Sequence, residues 1–334
     1  MFQRILVPLD GSDRAEQAIV TAVNLAHASG GSIVLLQVIN PDIAHLESPG
    51  ISMETLDAEI ERAKQYLAMI AASNILSDIS VTTEVLTGDP ALTIFPAAHA
   101  QQADLIVMCS HGSTGVRRWG IGSVSQKVAR CCPLPVLILR EGAGVPTNLH
   151  PGGVRSVRVQ VALDGSPLAE AALLPAAQLS ATLSAPAAGT LHLVHVVPHA
   201  TQDGQAVHES AQKEAESYLQ TIQQRLLTED AVDLKLHITT LVATNTDIAD
   251  ALIGMAEDSE GMEAVEDFEG CDCIAMATHG RGGLQRWLMG SITERVLHAT
   301  KLPLLIIRPQ KVTASDKPVE APEEEALTSW VGLL

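Results

Sequence analysis

The sequence contains one domain-length pattern twice, and this duplication constrains the architecture more than any other feature of its 334 residues. Residues 4–12 read RILVPLDGS, and residues 158–166 read RVQVALDGS. Near the end of each copy, residues 134–140 read LPVLILR and residues 302–308 read LPLLIIR. Self-similarity of this kind is typical of a duplicated fold. We therefore predict two copies of one domain, each of about 150 residues and large enough to bury its own core.

The predicted copies span residues 1–141 and 154–310. A Gly- and Pro-containing linker over residues 142–153, GAGVPTNLHPGG, joins them. Residues 311–334 form an acidic tail that we expect to be flexible.

The second copy carries two insertions relative to the first. About four residues enter near 184–189, and about ten enter within 255–270, where the added residues are rich in Asp and Glu. We expect both insertions at the surface, outside the repeated fold.

Each copy alternates short apolar runs with segments of helical periodicity. In the first copy the runs are ILVPL, SIVLLQVI, VTTEVL, DLIVMCS and PVLIL, and the helical segments are residues 13–29, 53–74, 90–101 and 122–131. This βαβαβαβαβ order predicts an α/β fold in which each domain has a five-stranded parallel sheet with helices on both faces. Since 46% of the residues are hydrophobic but only 2% are aromatic, aliphatic side chains must fill the cores.

The charge balance excludes several classes of partner. The formal net charge is −18, so the molecule repels nucleic-acid phosphates and anionic membrane surfaces. No apolar run reaches the roughly 18 residues of a membrane span, and the five cysteines lack the spacing of a secreted disulfide framework. We expect a cytoplasmic protein with no nucleic-acid or membrane partner.

An Asp-Gly-Ser motif follows the first predicted strand of each copy, at Asp10 and Asp164. In open parallel sheets, ligands bind outside the carboxyl ends of the strands, where the strand order reverses. The motif lies at that position, although an aspartate there also has a purely structural interpretation as a turn residue.

A glycine-based motif follows the fourth predicted strand. Gly112 lies where the chain turns off the strand, and after nine residues Gly122 and Ser123 open the next helix. The second copy repeats the motif at Gly280, Gly290 and Ser291. A helix start favours an anion, and the serine is expected both to cap the helix and to bind a phosphate oxygen. The alternative is that folding alone requires the glycines.

The motifs resemble those of the universal stress protein family, over nearly all of residues 1–310. The fingerprint of its ATP-binding branch is Gly-x2-Gly-x9-Gly-(Ser/Thr), and the first glycine is replaced here by Cys109 and by Ala277. The resemblance implies two tandem Rossmann-like domains of the adenine nucleotide alpha hydrolase-like type. It also implies bound ATP, or AMP or ADP, with Mg or Mn on the phosphates.

Carried over residue by residue, the resemblance implies two equivalent binding sites. The first comprises Pro8, Leu9, Asp10, Val38, Met108, Cys109, Gly112, Gly122, Ser123, Val124 and Ser125. The second comprises Ala162, Leu163, Asp164, Val196, Met276, Ala277, Gly280, Gly290, Ser291, Ile292 and Thr293. The aspartates are expected near the ribose or a phosphate-bound metal, the valines and methionines beside the adenine, and the glycine–serine segments around the phosphates.

The family also pairs domains through the fifth strand. Residues 135–140 and 303–308 are therefore expected to pair within this chain as an internal pseudo-dimer, with a homodimer of chains and a regulatory protein partner left open. Unpaired apolar edge strands would also be an aggregation hazard.

Three alternative functions can be weighed against these residues, and the last of them is excluded. The sites are degenerate and the chain is a protein-interaction module, or the chain is a slow ATPase in which His111 or His279 acts as a base, or it is an adenylating enzyme. The adenylating class has Ser-Gly-Gly-x-Asp-Ser after the first strand, whereas this chain has Leu-Asp-Gly-Ser twice. We expect a binding module and assign no catalytic residue.

Overall fold

The computed structural model describes residues 2–41, 53–111, 121–140, 142, 145, 155–199, 205–257, 270–279 and 289–309. In the first repeat the elements are β1 (Arg4–Leu9), α1 (Asp13–Ser29), β2 (Ser32–Ile39), α2 (Met53–Ala71), β3 (Ser80–Thr87), α3 (Pro90–Ala100), β4 (Leu105–Cys109), α4 (Ser123–Cys131) and β5 (Val136–Leu139). The predicted alternation of strands and helices is confirmed.

The second repeat follows the same order with one helix divided. Its elements are β6 (Arg158–Leu163), α5 (Pro167–Glu170), α6 (Leu173–Ser184), β7 (Gly189–Pro198), α7 (Gln205–Arg225), β8 (Leu236–Asn245), α8 (Ile248–Glu257), β9 (Cys273–Ala277), α9 (Ser291–Ala299) and β10 (Leu304–Ile307). Pro175 explains the division of the first helix into α5 and α6. It has no N–H to donate to the carbonyl of Ala171, and its ring would clash there, so a new helix starts just before it.

All ten strands form one sheet, in the order β3-β2-β1-β4-β5-β10-β9-β6-β7-β8. Every neighbouring pair is parallel except β5 and β10, which are antiparallel. In each half the first strand lies between the second and the fourth, so the strand order reverses between β1 and β4 and between β6 and β9. These two switch points are where a ligand is expected.

Alternating side chains divide the core into two layers. Residues such as Ile33 and Leu35 pack under α1, α2, α6 and α7, and we call this side the α1 face. Their neighbours Val34 and Leu36 pack under α3, α4, α8 and α9 on the α4 face. The alternation follows from the pleat, which turns successive side chains to opposite sides.

An approximate two-fold axis passes through the junction of the two repeats. Leu137 of β5 lies opposite Leu305 of β10, and each is the repeat equivalent of the other. The expected pairing of the fifth strands is therefore present. Two equivalent arginines each reach the last turn of the other repeat's helix, since Arg140 donates to the carbonyl of Leu297 in α9 and Arg308 donates to that of Cys131 in α4.

The acidic insertion leaves the repeated fold intact. In the first repeat the N–H of Ala103 donates to the carbonyl of Ala98 over 2.8 Å and closes the end of α3. In the second repeat the N–H of Cys271 makes the same 2.8 Å bond to the carbonyl of Ala256. The extra residues enter between these two bonded positions, and those numbered 258–269 lie outside the described residues.

We predict that a charge at the two-fold axis destabilises both domains together. Leu137 and Leu305 are fully buried, so Leu137→Lys or Leu305→Lys should lower the free energy of unfolding by about 3 kcal/mol or more. Thermal unfolding followed by circular dichroism should show the whole transition moving to lower temperature. Leu92→Lys is the control, because Leu92 is 42% exposed. A variant in which only one domain melts early would contradict the prediction.

Candidate functional site

The Asp-Gly-Ser segment at the end of β1 forms a tight turn that starts α1. The carboxylate oxygen Oδ1 of Asp10 accepts from the Ser12 N–H at 3.1 Å and from its hydroxyl at 2.6 Å. The Ser12 hydroxyl in turn accepts from the Ala15 N–H at 3.2 Å and caps the helix. Gly11 has φ +80°, in the left-handed region that favours glycine. The turn fixes the orientation of the Asp10 carboxylate at the edge of the sheet.

The second repeat forms the same turn, with hydrogen-bond lengths that are nearly identical. Oδ1 of Asp164 accepts from the Ser166 N–H at 3.0 Å and from its hydroxyl at 2.6 Å, and Ser166 caps α5 through the Ala169 N–H at 3.2 Å. The purely structural interpretation of the aspartates is therefore correct for Oδ1. The retained carboxylate still lies at the switch point in both repeats.

Gly122 and Gly290 bring the starts of α4 and α9 against the ends of the neighbouring strands. The Gly122 N–H donates to the carbonyl of Ser110 at 2.6 Å, and the Gly290 N–H donates to that of Thr278 at 2.7 Å. A Cβ would lie 3.0 Å from the Ser110 oxygen and 3.2 Å from the Thr278 oxygen. The close approach itself therefore favours glycine, whatever the ligand, because a Cβ would force the neighbouring carbonyl to shift by a few tenths of an ångström.

The expectation that serine caps these helices is wrong. The cap residues are Gly122 and Gly290, and neither cap position has a side-chain hydrogen bond. Ser123 and Ser291 are the first helical residues and are exposed. By contrast, α1, α3 and α5 have side-chain caps from serine or aspartate. The starts of α4 and α9 thus keep the N–H groups and the positive dipole end that attract an anion.

Ser125 and Thr293, assigned to the phosphate cradle, direct their hydroxyls into the protein. The Ser125 hydroxyl lies 2.9 Å from the Cys109 carbonyl oxygen, and the Thr293 hydroxyl lies 2.9 Å from that of Ala277. Both side chains are 4% exposed. These hydroxyls lock each helix onto its strand, so any contact from these residues to a ligand would come from backbone N–H groups. Val124 and Ile292, between the exposed and the buried residue, are half-buried.

The apolar core on the α4 face extends to each helix start, where Val124 and Ile292 pack against it. We call its side chains nearest the helix start the apolar surface of each site. Met108 and Met276 are 5% and 4% exposed, and Val196 is 6% exposed. Val38 is half-buried and packs against the same core cluster. Strand alternation places two further residues on this face, Pro8 and Ala162.

Leu9 and Leu163 do not join this apolar surface. Both are 4% exposed and belong to the core on the α1 face. The resemblance places them against the nucleotide, but their side chains point to the other side of the sheet. Only their backbone could reach a ligand at the switch point.

The Cys109 thiol also faces α1. Its Sγ lies 3.9 Å from the carbonyl oxygen of Ala15, so it packs on the face opposite Met108. Burial raises the pKa of the Cys109 thiol to about 12, which keeps it protonated and a poor nucleophile at neutral pH. Ala277, the counterpart in the second repeat, is 5% exposed.

The histidines after β4 and β9 lie beside the preceding hydroxyls. Nδ1 of His111 is 3.2 Å from the Ser110 hydroxyl, and Nδ1 of His279 is 3.0 Å from the Thr278 hydroxyl. Gly112 and Gly280 lie outside the described residues. Within the described ranges no group of three or more His, Cys, Asp or Glu could hold a metal ion. No helix in this part of the chain is long and apolar enough to cross a membrane.

A model of the universal stress protein family matches residues 1–140 and residues 157–308. The chain belongs to the universal stress protein family. A family member from Thermus aquaticus is 36% identical over 141 residues, which cover 42% of this chain and all of that protein. Another from Mycobacterium tuberculosis is 24% identical over 317 residues, 91% of this chain and 96% of that protein.

Solved structures of family members show the same fold. The crystal structure of a universal stress protein from Archaeoglobus fulgidus has a TM-score of 0.61 with 22% identity, covering 92% of this chain and 97% of that one. A putative universal stress protein from Pseudomonas aeruginosa has a TM-score of 0.59 with 18% identity, covering 92% and 93%. The tandem arrangement of this universal stress protein therefore has solved counterparts along most of the chain.

A tyrosine–glutamate contact beside each aspartate turn was missed at the sequence level. The Tyr66 hydroxyl donates to Glu16 at 2.8 Å, tying α2 to α1, and the Tyr218 hydroxyl donates to Glu170 at 3.2 Å, tying α7 to α5. Burial, together with the adjacent glutamate, raises the pKa of both phenols. These are the only two tyrosines of the sequence. Their repetition at equivalent positions was the sequence feature that could have predicted the two contacts.

We predict that the buried hydroxyls stabilise this universal stress protein while the exposed serines beside them do not. Ser125→Ala or Thr293→Val removes a donor from a strand-end carbonyl, which should lower the free energy of unfolding by about 1–2 kcal/mol. The matched controls are Ser123→Ala and Ser291→Ala, expected to change it by less than about 0.5 kcal/mol. Urea unfolding measures all four variants. Equal losses in the two sets would show that the hydroxyls of Ser125 and Thr293 do not lock the helices.

Proposed function

We propose that each repeat binds one adenine nucleotide, ATP or else AMP or ADP, with Mg or Mn on the phosphates, and that the protein is a nucleotide-responsive regulatory module. One observation carries the proposal. A helix start without a side-chain cap lies beside an apolar surface and a fixed aspartate at both switch points.

In this proposal the starts of α4 and α9 bind the phosphates of the nucleotide. Ser123 and Ser291 are exposed at the first helical position, where a hydroxyl and several backbone N–H groups can point at the same oxygen atoms. Such N–H groups and the positive end of the helix dipole favour phosphate. This local attraction is needed because the molecule as a whole carries a net charge of −18.

The apolar surfaces account for the base. Val38 with Met108, and Val196 with Met276, offer aliphatic and thioether contacts on the α4 face. A flat base gains by leaving water for such a surface. Methionine is well suited to this contact because its side chain is flexible and polarisable.

The aspartates account for the metal. Asp10 and Asp164 each hold one carboxylate at the sheet edge in a fixed turn. One carboxylate together with phosphate oxygens and water is the usual ligand set for Mg bound with a nucleotide. The protein therefore supplies few metal ligands of its own, and the nucleotide supplies the others.

A binding role is favoured over catalysis. The ring nitrogen Nδ1 of His111 and that of His279 lie beside neighbouring hydroxyls, and the Cys109 thiol is protonated and packed on α1. The hydroxyls beside these histidines, those of Ser110 and Thr278, are buried, so they are poorly placed to attack a bound phosphate. Regulation would then come from a difference between the nucleotide-bound and free states, read by a protein partner or by a second copy of the chain.

We expect isothermal titration calorimetry with ATP and Mg to give a stoichiometry of about two per chain, one per switch point. GTP should bind at least about ten-fold more weakly, because the apolar surfaces leave the polar groups of guanine unpaired. A stoichiometry near zero would favour the alternative of a protein-interaction module with degenerate sites.

A charge at the helix start should weaken binding without harming the fold. Ser123→Glu and Ser291→Glu place a carboxylate where the phosphates must lie, and each should weaken ATP binding at its own site at least ten-fold, by roughly the 1.4 kcal/mol that a factor of ten represents. A negative charge in the first turn stabilises a helix by about 0.3–1 kcal/mol, so the thermal midpoint should stay or rise. Ser123→Gln and Ser291→Gln are matched controls of the same size without charge.

Substitutions at Ser123 and Ser291 separate an effect on binding from an effect on folding more clearly than substitutions at Gly122 or Gly290. A side chain on either glycine would press on a strand-end carbonyl, so lost binding could follow from a displaced loop. If Ser123→Glu and Ser123→Gln weakened binding equally, size rather than charge would explain the loss. If neither did, the helix start would not be the phosphate site.

A further inference from the structure

The two helices that open the proposed sites contact each other across the domain junction. Arg130 in the last turn of α4 forms an ion pair with Glu294 in the first turn of α9. Gln126 in α4 lies 3.0 Å from Nε2 of His298 in α9, measured from its side-chain nitrogen. Each contact thus joins a residue near the start of one helix to a residue near the end of the other.

The Arg130–Glu294 and Gln126–His298 contacts are related by the approximate two-fold axis. Gln126 is the repeat equivalent of Glu294, and Arg130 is the repeat equivalent of His298. The geometry is therefore shared, but the chemistry is not. Arg130 and Glu294 form an ion pair, whereas the other contact joins the uncharged amide of Gln126 to the imidazole of His298.

Glu294 is placed where it would oppose an anion. It lies four residues beyond Gly290, about 6 Å along the helix axis from the start of α9. A carboxylate in the first turn of a helix repels phosphate and competes with it for the positive dipole end. The first repeat has no such conflict, because its equivalent residue is the neutral Gln126.

The cation that pairs with Glu294 belongs to the other domain. Among the described residues the ion pair to Glu294 is made by Arg130, whereas Arg295 of the same helix turns to Asp247 and Asp250. Arg130 is 32% exposed and Glu294 is 39% exposed in their side chains. The pair is thus partly shielded from water, and its charge acts on the site over a short distance.

We propose that Arg130 of the first domain sets the anion affinity of the site in the second domain, by neutralising Glu294 at the start of α9. Arg130 is a positioning residue that acts through Glu294, and it has no equivalent role at the first site. The inference rests on the proposed nucleotide function. It makes the second site dependent on the domain junction and leaves the first independent of it.

The test isolates the second site and then separates charge from packing. In a Ser123→Glu background, in which the first site binds ATP·Mg at least ten-fold more weakly, Arg130→Gln should weaken binding at the second site about three- to ten-fold. Adding Glu294→Gln to Arg130→Gln should restore the affinity, since no unpaired carboxylate then remains. The loss should shrink in high salt. Thermal unfolding of each variant checks that the junction is intact.

The first repeat provides the matched control. In a Ser291→Glu background, Arg130→Gln should leave the first site unchanged, whereas Gln126→Glu should weaken it by the same three- to ten-fold. Adding His298→Arg to Gln126→Glu transplants the ion pair and should restore binding.

Two results would overturn the inference alone. One is wild-type binding at both sites with no effect of Arg130→Gln at the second. The other is a loss that persists when Glu294→Gln is added, since this would assign the effect to packing rather than charge. A wild-type chain that binds no ATP at either site would instead remove the proposed function, and this inference with it.

Discussion

The antiparallel pair of β5 and β10 is the interaction on which the rest of the structure depends. Both strands are four residues long and buried throughout, and each would be an apolar edge if its half stood alone. Pairing them removes both edges and fuses two five-stranded sheets into one of ten. Because Leu137 meets its own repeat equivalent, Leu305, the pairing also fixes a two-fold relation between the halves.

That relation determines where the two switch points lie. Strands within each half are parallel, but the halves run in opposite directions because β5 and β10 are antiparallel. The carboxyl ends of β1 and β4 therefore point in the opposite direction from those of β6 and β9, and the two switch points lie at opposite ends of the strands. The same relation sets α4 and α9 antiparallel beside the junction, which is why the first turn of each helix contacts the last turn of the other.

Most of the fold could be predicted from the sequence, because strands buried on both faces and their covering helices leave strong apolar periodicities, and the duplication shows each element twice. The division of α5 from α6 was missed, since a proline near a helix start reads equally well as a first-turn residue. At the site, the elements that carry each residue were predicted, but the directions of the side chains were not. Leu9, Cys109 and Ser125 point away from the expected ligand because of strand alternation and helix phase, which only the packed structure fixes.

Duplication alone does not separate the needs of folding from those of function, and the geometry of each retained residue does. Gly122 is repeated as Gly290 because a Cβ would press on a carbonyl, and Ser125 is repeated as Thr293 because its hydroxyl binds one. Folding explains both pairs. Ser123 and Ser291 are exposed at helix starts that their side chains do not cap, so folding gives no comparable reason to keep them. The proposed ligand at the helix start would supply that reason, and these exposed serines are therefore stronger markers of the proposed function than the glycines that first draw attention to the motif.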